Sequence, residues 1–214
     1  TGCGSCVPVC PTKDPAIRMV PAHPTEQDLE NWNYALNLSD KGDLFTPYSI
    51  RGSQFRQPLC EFSAACAGCE RCRLASGRTN LVFGVGDPHA KLLFVGEGPG
   101  YQEDVQGEPF VGPSGQLLDK YLAAIGLDRE HGVYIANIVK CRPPQNRDPQ
   151  PDEQDVCIEW LREQVRVLRP KVIVCLGRIA AQRLIDPEFR VTREHGQFVE
   201  KKGVHMMGTF HPAA

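Results

Sequence analysis

A chain of 214 residues with 24 basic and 26 acidic side chains has room for one good core plus a small appendage, and its ordinary composition is that of a globular protein. Near-neutral charge excludes a binder whose affinity for nucleic acid rests on bulk electrostatics alone, although it leaves room for a local basic strip. No apolar run approaches the roughly 18–20 residues of a membrane helix, no signal-peptide pattern is present, and ten cysteines, some of them in C-x-x-C spacings, point to metal or cluster ligation rather than a secreted disulfide scaffold.

Taken in chain order, the first feature is Cys3-x-x-Cys6-x-x-x-Cys10-Pro11, the spacing of the last three cysteines and the proline of a bacterial ferredoxin run. Residues 11–60 are rich in Pro, Asp, Asn and Ser with little periodicity, and read as a connector. The stretch SIRGSQFRQPLCEFSAACAGC (Ser49 to Cys69) resembles pyruvate:ferredoxin oxidoreductase, at the passage out of its ferredoxin domain. That resemblance covers residues 1–69 and stops abruptly at Glu70, with no thiamine-binding sequence behind it. Residues 1–69 are therefore read as an irregular, remnant-like segment that packs poorly on the rest of the chain, and residues 70–214 as the main domain.

From Lys91 onward strand and helix signals alternate. Leu92 to Val95 is a continuous apolar run, as a buried parallel strand requires, and Gly96-Glu97-Gly98-Pro99-Gly100 comes directly after it. Ser114 is placed to cap a helix bearing Leu117, Leu118, Tyr121, Leu122 and Ile125 on its apolar face, with Gly126 as its stop. Val133 to Val139 reads as a second strand, Asp152 to Leu168 as a helix, Val172 to Leu176 as a third strand, Ile179 to Ile185 as a short helix, and His205 to Thr209 as a fourth strand. The fold class is thus α/β: a short four-stranded parallel sheet with helices on both faces. Chemistry in such sheets gathers at the carboxyl ends of the strands. The glycine-rich turn, Asn137 and His211 all lie there.

Cys69-x-x-Cys72 precedes the sheet, and Cys141 and Cys157 flank the Pro- and Arg-rich loop CRPPQNRDPQP. Two distant pairs of this kind suit a four-thiolate site that pins irregular segments, and spacing alone fits zinc and a 4Fe–4S cluster equally. Cys175, inside an apolar strand, reads as core packing.

The motifs CRLASGRTNLVFGVGD (Cys72 to Asp87), GEGPGYQEDVQGEPFVGPSGQLL (Gly96 to Leu118), YIANIVKCRPPQNRDPQPDE (Tyr134 to Glu153), RPKVIVCLG (Arg169 to Gly177) and TFHPAA (Thr209 to Ala214) resemble family 4 uracil-DNA glycosylases. The likeness runs through residues 70–214 in order and with family spacings. It implies a uracil-DNA glycosylase fold and a DNA-repair hydrolase that removes uracil from DNA and leaves an abasic site. It also implies a 4Fe–4S cluster on Cys69, Cys72, Cys141 and Cys157, DNA containing uracil as the partner, a monomer, a cytoplasmic location and no membrane. The alternative reading is an iron–sulfur electron-transfer module of a 2-oxoacid:ferredoxin oxidoreductase.

Such an enzyme must flip the base into a pocket. One amide offers a donor and an acceptor, so Asn137 is expected to pair with O4 and N3–H of uracil and to mismatch cytosine. Phe110 is expected to stack on the base, Gly98 to allow close backbone approach, and His211 to donate to O2 as negative charge develops. Glu97 is expected to position the base or the attacking water, and Glu103 to restrict space near C5 against thymine. The aspartate that the best-known uracil family carries in the first turn is replaced here by Gly98, and the middle loop KCRPPQNRDP has no histidine. The chain is read as an excerpt, with the duplex-wedging leucine loop expected after His211-Pro212.

Overall fold

The computed structural model describes residues 59–214. The cysteines at 3, 6 and 10 and most of the connector lie outside the described residues. Four parallel strands form the centre: β2 (Leu92–Gly96), β3 (Val133–Asn137), β4 (Val172–Leu176) and β6 (Val204–Thr209). Two more strands run antiparallel at the edges: β1 (Val85–Gly86) on β3, and β5 (Phe198–Lys201) on β6. The order is β1-β3-β2-β4-β6-β5.

The sheet therefore has six strands where the sequence pattern indicates four. The two-residue β1 is too short to carry a period. Strand β5 joins β6 through Lys202 and Gly203, both with positive φ (52° and 75°), the backbone of a tight primed hairpin turn. The second strand also ends at Asn137 rather than Val139, although pairing continues: the N–H groups of Ile138 and Val139 donate to the carbonyls of Gly96 and Glu97. That pairing holds the turn after β2 against the turn after β3.

Alternate residues of each central strand enter two separate cores. Leu93, Val95, Tyr134, Ala136, Ile173 and Cys175 face one side, while Phe94, Val133, Ile135, Val174 and Leu176 face the other. The period of two follows from strand geometry, and burial on both sides explains the continuous apolar runs. Cys175 is fully buried in the first core, as its apolar neighbours indicate.

Helices cover both faces. The α-helices are α1 (Leu59–Ala67), α2 (Tyr101–Gln106), α3 (Pro113–Ala124), α4 (Pro151–Leu168), α5 (Arg178–Leu184) and α6 (Val191–Glu194). Helix α4 lays Ile158, Leu161 and Val165 on the first core, and α3 lays Leu118 and Leu122 on the second. Tyr121 and Ile125, expected on the apolar face of α3, are exposed. Gly115, Leu118 and Leu122 define a narrower buried stripe. Nor does Ser114 cap this helix: Gly112 stands at the N-cap with Pro113 in the first turn, where its missing N–H costs nothing.

Helix α1 lies at the end of the segment, up to residue 69, that the sequence reads as irregular and poorly packed. It packs on α4, and its Leu59, Phe62 and Cys66 belong to the first core. Each such buried apolar side chain contributes about 1.5–3 kcal/mol. Nothing in the resemblance to a second protein family could show which helix these residues would find as a partner.

Candidate functional site

The carboxyl edge of the parallel strands carries a cavity of about 300 Å³. All six residues expected to serve base recognition and chemistry line it: Glu97, Gly98, Glu103, Phe110, Asn137 and His211. They come from the end of β3, the turns after β2 and β6, helix α2 and its connection to α3, which the register of the sheet brings to one place.

Asn137 is the last residue of β3 and is buried, with its Oδ1 free of any hydrogen-bond partner. A buried, unsatisfied amide oxygen costs roughly 1–3 kcal/mol, and Asn137 lines the cavity. Directly opposite in the register is Gly96. A Cβ there would lie 2.5 Å from both Asn137 Oδ1 and Phe110 Cζ, so β2 must end in glycine for both to occupy the pocket.

Phe110 is buried in a left-handed backbone conformation, φ 54°. For a bulky residue that is strained, and the surroundings impose it. The Arg129 guanidinium donates to the carbonyls of Pro109 and Phe110 and pairs with Asp119. Helix α3 approaches so closely that a Cβ on Gly115 would fall 1.6 Å from the Phe110 carbonyl oxygen. The ring is thereby turned toward His211, with centroids 5.7 Å apart and planes tilted by 30°.

His211 lies just beyond β6, and its Nδ1 accepts a hydrogen bond from the Ala213 N–H at 3.1 Å. The neutral ring then carries its proton on Nε2. Burial lowers its pKa below the ordinary imidazole value, against a weaker opposing pull from Glu103. Glu97 is pushed up to about 7, first by burial and then by Asp148, with Arg178 opposing. Glu103 has a different setting: its Oε1 accepts from the N–H groups of Val111 (3.0 Å) and Gly112 (2.9 Å), tying the start of α3 to α2.

Pro143, Asn146 and Arg147 also line it, and no pattern in the sequence marks them as pocket residues. Gln145 and Asn146 both have positive φ. Arg147 makes paired hydrogen bonds, 2.8 and 2.6 Å, to Glu153, whose fully buried carboxylate also meets Arg73 and accepts from the Gln150 N–H. These bonds, led by that of Arg147, hold the Glu153 pKa below the usual carboxylate value. The loop's wording is visible in the sequence, but the side it presents is not.

The four paired cysteines also meet. Cys69, Cys72, Cys141 and Cys157 line one small cavity with Lys140 and Trp160. Three of their sulfurs accept N–H hydrogen bonds, from Trp160 Nε1 to Cys69 (3.4 Å), Arg78 to Cys141 (3.3 Å) and the Lys140 backbone to Cys157 (3.2 Å). Burial pushes the Cys157 thiol up to about 12 and raises that of Cys141. Cys66 is not part of this lining and sits in the core. Among the described residues, no three His, Cys, Asp or Glu side chains form a group set to hold a metal ion.

The fold and site define an α/β protein with a cavity at the carboxyl edge of its sheet, lined among others by one amide, one aromatic ring and one imidazole. Known proteins agree. The family model for the uracil DNA glycosylase superfamily matches residues 83–214. A type-4 uracil-DNA glycosylase of Archaeoglobus fulgidus is 50% identical over 154 residues, covering 68% of this chain and 77% of that protein. One from Thermotoga maritima is 44% identical over 147 residues, covering 68% and 76%. A shorter likeness, 51% over 70 residues, is to a pyruvate:ferredoxin oxidoreductase of Moorella thermoacetica and spans 32% of this chain but 6% of that protein. The chain belongs to the type-4 uracil-DNA glycosylases within the uracil DNA glycosylase superfamily.

Proposed function

We propose that this chain hydrolyses the N-glycosidic bond of uracil in DNA, releasing uracil and leaving an abasic site. The observation that carries the reading is the unpartnered, buried Oδ1 of Asn137 in a cavity it shares with Phe110 and His211. Oδ1 accepts from uracil N3–H while the amide nitrogen donates to O4. Cytosine, with an unprotonated N3 and an amino group at C4, would leave both unmatched, at several kcal/mol for the pair. Phe110 supplies the stacking face and Gly98 the close backbone approach.

As the C1′–N1 bond breaks, its electron pair passes to the base and the sugar becomes cationic. His211 Nε2–H donates to O2 where negative charge collects, a contact stronger in the transition state than in the ground state. Water adds to C1′ and loses a proton. Glu97, with a carboxyl titrating near neutrality, holds that water and accepts its proton. The Glu103 carboxylate, bonded to two backbone N–H groups, holds the Phe110 segment to α2 and so sets the pocket's width near C5.

The four-cysteine cavity is the seat of a 4Fe–4S cluster in this reading. Its donor set is all sulfur, and the N–H groups aimed at three sulfurs are the partners that thiolates accept. A zinc ion would need four sulfurs about 2.3 Å from one point, while a cubane cluster spreads its thiolates more widely. Bound there, the cluster would pin the loop from Cys141 to Cys157, which supplies Pro143, Asn146 and Arg147 to the base pocket.

One chain supplies every pocket residue named, which suits a monomer. The thiols lining the cysteine cavity are free, which suits a reducing, cytoplasmic compartment. No described helix is long and apolar enough to cross a membrane. The domain boundary is better drawn ahead of Leu59 than at residue 69, because α1 shares the first core. The deciding experiment is a gel assay on a uracil-containing oligonucleotide with alkaline cleavage of the abasic product. A strand left whole, beside thymine- and cytosine-containing controls, refutes the assignment.

A further inference from the structure

Lys140 is completely buried. Its Nζ donates to the backbone carbonyl of Asn137 at 2.9 Å and to Gln164 Oε1 at 2.6 Å, and Gln164 Nε2 in turn donates to the Phe83 carbonyl at 2.8 Å. The Phe83 ring lies 5.8 Å from the ammonium, and Lys140 also lines the cysteine cavity. Taking an ammonium out of water is costly, and a chain that only needed to fill this space would do so with an apolar side chain. Asn137 is the last residue of β3, and its carbonyl is a buried acceptor that needs a donor. Lys140 is that donor.

We infer that Lys140 is a positioning residue for base recognition: its buried Nζ clamps the Asn137 carbonyl to Gln164 on α4 and so sets the aim of the Asn137 amide. The inference rests on the reading that Asn137 pairs with uracil. The peptide plane beyond Asn137 cannot rotate while its oxygen is held, and the side chain leaves from the same Cα. Helix α4 carries Cys157 as well as Gln164, so one helix anchors both the cysteine cavity and the clamp. Lys140 touches neither base nor sugar in this arrangement and acts through Asn137 alone.

The test uses equilibrium binding to two duplexes, one bearing a uracil nucleotide whose 2′-fluorinated sugar resists cleavage and one bearing a tetrahydrofuran abasic analogue. Lys140→Met is expected to weaken the uracil duplex by about tenfold, the scale of one well-placed hydrogen bond, and to leave the abasic duplex unchanged. Gln164→Met keeps the lysine but frees its far anchor, and is expected to give the same selective loss by about threefold; it carries the test alone if Lys140→Met does not fold. Equal weakening on both duplexes, or no change on either, overturns the inference. Wild-type protein that fails to prefer the uracil duplex removes base reading by Asn137, and the clamp's purpose with it.

Discussion

The N–H of Ala213 donates to Nδ1 of His211, so the imidazole can offer only its Nε2–H to a ligand while it stays neutral. That single backbone contact fixes the tautomer the proposed chemistry needs. His211→Ala should lower the single-turnover rate by the equivalent of about 2–4 kcal/mol, the range for loss of one oxyanion donor. Duplex affinity should change little, because the contact strengthens only as charge develops. Equal rates for variant and wild type would remove His211 from the mechanism.

Asn137→Asp replaces a donor at O4 with an acceptor while leaving the cavity's shape intact. Discrimination between uracil and cytosine should fall, and uracil excision with it, by about 10- to 100-fold. Asn137→Ala leaves both edges of the base unmatched and should cost at least as much. Competition kinetics with the two bases in otherwise identical oligonucleotides reads the effect directly.

The Glu97 carboxyl titrates at about 7 in the folded protein, above the ordinary carboxylate value because of burial and the nearby Asp148. If it accepts the proton of water, the single-turnover rate should rise as pH increases through about 7. His211, held below the ordinary imidazole value, titrates lower and does not account for that limb. Glu97→Gln should flatten the profile. The raised value has a stability consequence of fixed sign: the contribution from the protonated group is complete below the ordinary carboxylate value and is lost as pH rises through about 7. Glu97→Gln should therefore gain stability relative to wild type at alkaline pH. A rate profile unchanged by the substitution would contradict the assigned role.

Protein purified without air should be brown, with iron content and a broad absorbance near about 400 nm. Cys141→Ser and Cys157→Ser should each lose colour and iron. Each should also loosen the loop between them, measurable as faster amide exchange across residues 142–150. A colourless wild-type protein carrying zinc would contradict the cluster.

Phe62 of α1 is buried against α4, and Phe62→Ala should destabilise the protein by about 3–5 kcal/mol in denaturant unfolding. Removing all residues before Ala67 should be at least as costly. A shortened protein with unchanged stability would show that α1 is dispensable.

Much of this protein is legible one residue at a time. Leu92 to Val95 and Val172 to Leu176 announce buried parallel strands because burial on both faces leaves no polar alternation to disguise them. The glycine-rich turn, Asn137 and His211 can be assigned to the carboxyl edge because strand ends are where a parallel sheet exposes its turns. Paired cysteines suggest a thiolate site by spacing, although the choice of Cys72 over Cys66 comes from the resemblance to a family. Local pattern thus reaches as far as the class of fold, the edge bearing the site and the residue types that meet there.

Contacts between distant segments supply the rest. Nothing local distinguishes Lys140 from the exposed lysines elsewhere in the chain, since its burial depends on Gln164, Phe83 and Asn137, each from a different segment. Tyr121 and Ile125 have the right spacing for a buried face, yet the second core is only wide enough for Leu118 and Leu122. Helix α1 gains its stability from a partner almost a hundred residues later in the chain, as Arg147 gains its place on the pocket wall from the buried carboxylate of Glu153. A side chain's pattern reports its own preference for water, whereas its burial, charge state and aim are set by neighbours that only the folded chain brings together.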